Sequence, residues 1–397
     1  MTIESIQADP KYIKFINKKQ VLHYIQQYQG KSRAEIAKAL RISKPTASKI
    51  VDELLQEGWI NESESTEKNS SGGRKPFQLY FNRNAQFIMG IDIGGTTVEM
   101  ALVNLEGEMI GKMSFPTQTY LPDNLFEKLS RCVFSLIAEQ AIEPSQILGV
   151  GIGVPGMTDV EKGIVIDAPS LGWKQYPFKE KMKKLLPFPM YIDNDVNVAA
   201  LGEHWKGAGK NKDNMLQVTL GTGIGCGIII DRQLYRGTTF AAGEIGYMVT
   251  DKHAAEKKYN TAFSGYGFLD SHVGGPSITE RMLNILDADR QSEEEWTAKK
   301  VFELALAGDE ISLEVVNDAL SHLAFALVNV IAIINPQCVV IGGGISKSLD
   351  PFLPTIEQTI NAHIPVETEV AITRHANISL LGSAYLVLNE HDSILKV

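Results

Sequence analysis

Residues 87–104 read Phe-Ile-Met-Gly-Ile-Asp-Ile-Gly-Gly-Thr-Thr-Val-Glu-Met-Ala-Leu-Val-Asn. An apolar run starting at Phe87 ends at Asp92, two glycines follow, and Val98 to Asn104 resumes as strand. The pattern predicts a β-hairpin with Gly94 and Gly95 at its turn. Glycines there expose backbone N–H groups and leave room for a phosphate. Asp92, beside the turn, suits a Mg²⁺-bound water. Two further glycine turns follow the same logic. Leu220-Gly-Thr-Gly-Ile-Gly225 lies between the apolar runs 215–220 and 226–231. Val339-Val-Ile-Gly-Gly-Gly-Ile345 closes a strand that follows the apolar helical stretch 318–334. A single glycine turn is most often only a turn. Three in one chain, two of them inside strand–turn–strand units, predict two related α/β lobes gripping a nucleotide between them.

Between the first two turns, Tyr191-Ile-Asp-Asn-Asp-Val-Asn197 crowds polar residues at the end of an apolar run, ahead of a helical stretch at 198–206. Such a cluster faces a cleft, and a carboxylate there can act as general base toward a sugar hydroxyl. Capping of the helix by Asp193 or Asp195 is an alternative of equal weight.

Upstream of the hairpin the texture differs. Val21, Leu22, Ile25 and Tyr28 recur at helical spacing until Gly30 stops the helix. Ser32 with Glu35 forms a capping-box pattern for a second helix carrying Ile36, Ala37 and Leu40. After a short turn at Arg41-Ile42, Ser43 caps a third helix, with Pro45 near its start and Ala47, Ile50, Val51, Leu54 and Leu55 inward; Gly58 ends it. This is the helix-turn-helix pattern. Ser43, Lys44, Thr46, Ser48 and Lys49 lie on the outer face of the third helix's start, suited to phosphate and base-edge contacts. Trp59-Ile60-Asn61 and Phe77-Gln-Leu-Tyr80 read as two short strands of a wing. The loop between them holds Gly72-Gly-Arg74-Lys75-Pro76, and an arginine among glycines fits a narrow minor groove. A three-helix bundle that binds protein is the alternative for this head.

Charge follows the same division. Of the 397 residues, 1–86 hold 14 Lys and Arg against 9 Asp and Glu, and the remainder 24 against 38. A basic head on an acidic body fits a DNA-contacting segment joined to one that leaves DNA alone. Three widely spaced cysteines (Cys132, Cys226, Cys338) exclude a disulfide scaffold and any CxxC metal site. The N-terminal Met-Thr-Ile-Glu-Ser-Ile-Gln has no apolar signal-peptide core. The longest apolar run, Leu323 to Ile334, falls short of the ~20 residues that span a bilayer. The expected protein has no membrane partner, and its compartment is the reduced cytoplasm.

The body resembles the ROK family of repressors and sugar kinases, within the actin-like, hexokinase-like ATPase fold. The matching elements are Asp92-Ile-Gly-Gly-Thr96, Gly149-Val-Gly-Ile-Gly-Val-Pro-Gly156, Leu171-Gly-Trp173, Asp193-Asn-Asp-Val-Asn197, Gly221-Thr-Gly-Ile-Gly225, Gly243-Glu-Ile-Gly246 and Gly342-Gly-Gly344. With the head in front, nearly the whole chain is similar to the xylose-repressor and N-acetylglucosamine-repressor branch. The resemblance implies a multidomain protein: a mostly α winged helix-turn-helix over 1–82, then a two-lobed α/β body. The first lobe would cover 87–196, completed by a C-terminal helix at 380–397, and the second 197–379.

The resemblance also implies roles. Asp195 matches the base that deprotonates the sugar hydroxyl in the kinases. Asn194 and Glu244 match sugar-hydroxyl ligands, and Gly156 packs near the sugar. Asp92, Gly94, Gly95 and Thr96 match the first phosphate loop; Gly221, Thr222 and Gly223 match the second; Gly342, Gly343 and Gly344 would lie under the adenosine. Several positions depart from the family pattern. Tyr247 replaces a histidine that binds sugar and ligates a structural zinc, and the three zinc-cysteine positions read Thr261, Phe263 and Phe268. A tetrahedral zinc site needs four ligands, so no structural zinc is expected; His253 and His272 nearby do not make one. Phe263 and Phe268 read as an apolar plug. Asp270 stands for a sugar-binding Glu, and Ser170 for the usual Asn.

The function these readings predict is a sugar-responsive transcriptional repressor. Its partners are operator DNA and a monosaccharide or derivative as effector, and it acts as a homodimer or higher homo-oligomer. The alternative is an ATP-dependent sugar kinase, or a repressor with residual kinase activity, using Asp195 as base. ATP and Mg²⁺ are called for only in that case.

Overall fold

A computed structural model describes residues 10–64, 77–121, 124–257, 266–286 and 295–396. The head opens with helices α1 (Pro10–Gln27), α2 (Arg33–Ala39) and α3 (Lys44–Gln56). Ser32 and Glu35 form the anticipated capping box, and Ser43 caps α3 by accepting from the Thr46 N–H. Val21, Leu22 and Ile25 of α1 meet Ile36, Ile50, Val51 and Leu54 in one core. Two details differ from the sequence expectation. Helix α1 starts at Pro10, well ahead of Val21 where the apolar pattern begins, because Lys14 and Lys18 tie its first turns to Glu53 and Glu57 of α3. Tyr28 falls just past the helix and is 45% exposed, with its ring against Tyr24. The wing strands Ile60–Glu64 and Phe77–Phe81 pair antiparallel, Ile60 opposite Phe81. The loop between them, with Arg74 and Lys75, lies outside the described residues.

The body holds two five-stranded sheets with the same plan. In the first lobe the order is Met190–Asn194, Ile147–Val154, Phe87–Ile93, Thr97–Asn104, Met109–Pro116. Read from the Met109–Pro116 edge, two antiparallel pairings along the hairpin strands are followed by two parallel ones. In the second lobe Gln233–Leu234, Ile224–Ile230, Met215–Leu220, Cys338–Gly342 and Glu369–Ile372 repeat that sequence of pairings. Glycine turns close the leading hairpin in both lobes, so the paired motifs in the sequence are topological equivalents.

Helix Glu310–Ile334 is long and apolar enough to cross a membrane by length and composition. In this fold its Val315, Leu320, Leu323, Leu327 and Ile331 fill the core of the second lobe beside Val218 and Ile341 of the sheet. The C-terminal helix, Ile378–Glu390, returns to the first lobe. Its backbone lies so close to the sheet that a Cβ on Gly151 would land on the Ser383 carbonyl oxygen. That contact explains one glycine of the Gly149–Gly153 run by packing alone. The face of the sheet that this helix covers also carries the head: Ile88, Val103, Leu148, Leu380 and Leu395 belong to the same buried cluster as the core of α1 to α3. The Leu105 N–H donates to the Arg83 carbonyl, and Asn104 Nδ2 to Asn84 Oδ1, both at 3.0 Å, across the junction.

Candidate sugar and nucleotide cleft

Strand Met190–Asn194 ends where helix Asp195–Lys206 begins, and the cleft lies at that junction. The cap is neither of the carboxylates. Asn194 Oδ1 accepts from the N–H groups of Val196 at 2.8 Å and Asn197 at 3.2 Å. An amide does this without desolvating a charge, and its other end, Nδ2, donates to the Gly156 carbonyl at 2.9 Å. Gly156 holds the left-handed backbone this needs, with φ +82°. Asp195, the first residue of the helix, lines the cleft while its Oδ1 also accepts from the Val196 N–H at 3.0 Å.

The cavity measures about 190 Å³, below the ~300 Å³ at which drug-sized pockets begin. Gly95, Gly156, Asn194, Asp195, Gly221, Thr222, Gly223, Glu244, Tyr247 and Asp270 all line it. The first two glycine turns and the residues matched to sugar are therefore brought together. Asp92, Gly94 and Thr96 stand beside it rather than in its wall, and Gly342, Gly343 and Gly344 do not line it either; Gly342 pairs with Thr219 and Gly343 packs on the Leu220 backbone. Gly343 sits at φ +96° in contact with Leu220, where a side chain has no room.

No Lys, Arg or His lines the cavity among the described residues. Burial pushes the Asp195 carboxyl up to about 7, with Asp92 adding repulsion. Burial and Glu99 raise Asp92 to about 7, and burial followed by Asp270 and Asp167 raises Glu244 to about 7. Carboxyls in this state are strong partners for hydroxyl groups, which both donate and accept. Asp270 has a different task. Its two oxygens accept from the backbone N–H groups of Ile224 and Gly267, both at 2.8 Å. It braces the second glycine turn while also facing the cavity. Tyr247 is 51% exposed at the rim. Sequence reading missed Tyr266, whose hydroxyl is pushed up to about 12 by burial and the nearby carboxylates.

It also missed Arg236. The Asp193 carboxylate points away from the cavity, 1% exposed, and accepts from Arg236 Nε at 2.7 Å and Asn197 Nδ2 at 2.8 Å. No sequence signal links positions 193 and 236.

Phe268 is buried, with its ring 4.3 Å from His272, whose ring lies 4.0 Å from that of His322. His253 is exposed, and Thr261 and Phe263 lie outside the described residues. Among the described residues no group of three or more His, Cys, Asp and Glu is placed to hold a metal. At Gly95 and Gly221 the two turns leave uncrowded space beside the backbone, room that would suit nucleotide phosphates, and Asp92 would suit a water on their cation.

On the head, Lys44, Thr46 and Lys49 are exposed and Ser48 is half-buried. Ser43 Oγ and Thr46 Oγ1 lie 2.7 Å apart at the α3 N-terminus. Arg33, by contrast, is spent on Asp52 and Glu62.

Duplicated lobes, a small cleft lined by carboxyls and two glycine turns, and a winged helix seated on the first lobe define a class: sugar-kinase-like bodies carrying a DNA-binding head. The chain belongs to the ROK family, whose model matches residues 88–390, while a MarR family model matches residues 16–68 of the head. It is 31% identical over 360 residues to a xylose repressor of Caldicellulosiruptor bescii, covering 88% of each chain. It is 32% identical over 328 residues to a glucokinase of Halalkalibacterium halodurans, covering 78% of this chain and 98% of that one. Among solved structures it is similar in fold to a ROK family transcriptional regulator described as a homolog of the E. coli MLC protein. The TM-score is 0.78 at 24% identity, over 94% of this chain and 96% of that one.

Proposed function

We propose that this protein is a sugar-responsive transcriptional repressor. The observation that carries the reading is the shared core: a winged helix with an exposed, lysine-bearing recognition helix is packed onto the lobe that builds a hydroxyl-binding cleft. Similarity to a xylose repressor over both parts supports it. Operator DNA is the partner of Ser43, Lys44, Thr46, Ser48, Lys49, Arg74 and Lys75. A monosaccharide or derivative is the effector, held by Asn194, Asp195, Glu244 and Tyr247 beside Gly156 and Asp270. A homodimer in the cytoplasm would set two heads on a pseudo-palindromic site about one helical turn apart. The sugar acts by binding more tightly to the conformation that does not bind DNA. Gel shift with the chain's own upstream region, with and without pentoses and hexoses, tests this. Operator binding insensitive to every sugar removes the sensing role, and no operator binding removes the repressor.

One observation favours a second reading. Asp195 and Asp92 are both retained at the cleft, and the glucokinase relative is matched over 98% of its length. ATP, held at Gly94–Thr96, Gly221–Gly223 and Gly342–Gly344, would supply the phosphoryl group. Asp195 would take the sugar hydroxyl proton. A coupled ADP-release assay across pentoses and hexoses separates the two readings.

A further inference from the structure

Behind the cavity, three segments meet at one guanidinium. Arg236 Nε donates to Asp193 Oδ2 at 2.7 Å, and Nη2 donates to Glu390 Oε1 at 3.0 Å. Asp193 belongs to the first lobe and directly precedes Asn194 and Asp195; its carboxylate also accepts from the Asn194 N–H at 2.8 Å. Arg236 belongs to the second lobe and opens the loop that leads to Glu244, closed by the Ala242 N–H on the Arg236 carbonyl at 3.2 Å. Glu390 is the last residue of the C-terminal helix.

The chain beyond Glu390 runs into the head. His391 Nδ1 lies 2.9 Å from the Tyr191 hydroxyl, on the strand that carries Asp193. Leu395, 5% exposed, joins Val21, Leu22 and Ile25 of α1 in the head core. His23 of α1 lies beside the Lys396 backbone.

We propose that Arg236 is the positioning residue that couples the cleft to the head, pinning the two ligand-holding segments to the root of the C-terminal strap, residues 391–396. The proposal rests on the repressor reading for the sugar, and only for the sugar. A guanidinium is planar, and its donors have fixed directions. Asp193 and Glu390 both sit on the first lobe and Arg236 on the second, so rotation of the lobes about the cleft moves Arg236 against both. Its bond to Glu390 must then lengthen or re-form, and that changes the hold on the C-terminal helix end, where the strap begins. The strap carries that change to α1 through Leu395 and Lys396. The relation is a continuous physical path with one junction, and a second arrangement of that junction would bias both sites.

Two variants of the full-length chain test it. Glu390→Gln keeps the shape of the junction, removes the charge from its outer arm and lies outside the cavity. Arg236→Met removes the junction. Operator affinity is measured by fluorescence anisotropy with D-xylose and D-glucose as probes, and sugar binding separately by thermal shift. In the native chain the active sugar should change operator affinity at least tenfold. In Glu390→Gln the thermal shift by sugar should remain, while the change in operator affinity falls below threefold. Retention of the full response together with sugar binding overturns the proposal. A second measurement needs no sugar. Hydrogen exchange of the apo chain should quicken at least tenfold in 391–396 and in α1 around His23 when Arg236 becomes Met. Unchanged exchange there in a folded variant overturns the route. If neither sugar acts on the native chain, D-xylose and D-glucose are not its effectors, and the exchange result still decides on Arg236.

Discussion

Asp270 accepts the Ile224 backbone N–H at 2.8 Å, so the second glycine turn hangs from a side chain 46 residues further along the chain. The other Asp270 oxygen takes the Gly267 N–H, and a Cβ on Gly223 or Gly246 would collide with the carboxylate. The aspartate is thus a brace between turn and rim. Asp270→Ala leaves two buried N–H groups, of Ile224 and Gly267, without a partner, at a cost of roughly 1–3 kcal/mol each. Asp270→Asn, which keeps one acceptor oxygen, should cost less. Urea unfolding midpoints of the two variants give the comparison; a native-like midpoint for Asp270→Ala means the brace contributes nothing.

The carboxyls of the cleft set a pH dependence. Folded Asp92 titrates at about 7 through burial and the Glu99 charge, while an aspartate in the unfolded chain ionises near ~4. Between those values the folded protein holds a proton that the unfolded chain has released. Stability from this residue therefore falls as pH rises through that window and is lowest above it. Asp92→Asn, uncharged at every pH, should match the native chain only below pH ~4 and melt somewhat higher already at pH 5. At pH 8 it should melt higher by at least about 3 °C. A pair of thermal melts at each pH checks this, and a difference that does not grow with pH contradicts the assigned burial of Asp92.

These two sites mark where the sequence was readable. Gly94-Gly95 and Gly221–Gly223 announced their hairpins because a turn is a local event, decided by a few neighbouring residues. Ser32, Glu35 and Ser43 were readable as caps for the same reason. The cluster 193–197 pointed to the cleft, and its division of labour was not legible. Three polar side chains in a row compete for one capping position, and only the direction of the strand decided that Asn194 caps, Asp195 faces the cavity and Asp193 turns to Arg236. The partners of Phe268 were hidden likewise: His322 arrives from the long helix Glu310–Ile334, remote in sequence. The early start of α1 depended on ion pairs to α3 that periodicity does not encode.

The head should bind DNA through exposed lysines. Lys44 and Lys49 lie on the first turns of α3, where phosphates of a major-groove edge would meet them. Each phosphate that is no longer neutralised lowers the slope of log K against log salt by about 0.9. The double variant Lys44→Ala, Lys49→Ala should flatten that slope by up to about 2 and weaken operator binding at least tenfold. Arg74→Ala should weaken it several-fold. Sugar-induced thermal shifts should be unaffected in all of these variants. Anisotropy titrations at several salt concentrations supply both numbers, and an unchanged slope in the double variant moves the DNA-binding surface elsewhere.

Asp195 decides between sensor and enzyme. A base must be ionised to take a hydroxyl proton, and burial with the Asp92 charge holds this one at about 7. Any sugar phosphorylation should therefore rise with pH through neutrality and level off above it. Asp195→Asn keeps the size of the side chain and removes its basicity, so transfer should fall by about a thousandfold or more, given the ~10²–10⁴ that a positioned base contributes. Operator affinity without sugar should stay within about threefold, because the residue lies in the body cleft and the recognition helix in the head. A coupled ADP-release assay from pH 5.5 to 8.5 and anisotropy on the same preparation give the two readouts. Loss of DNA binding in Asp195→Asn would mean that the charge state of the cleft already governs the head without any ligand. Brisk transfer in a native chain that ignores its operator would leave the winged helix as an accessory to a kinase.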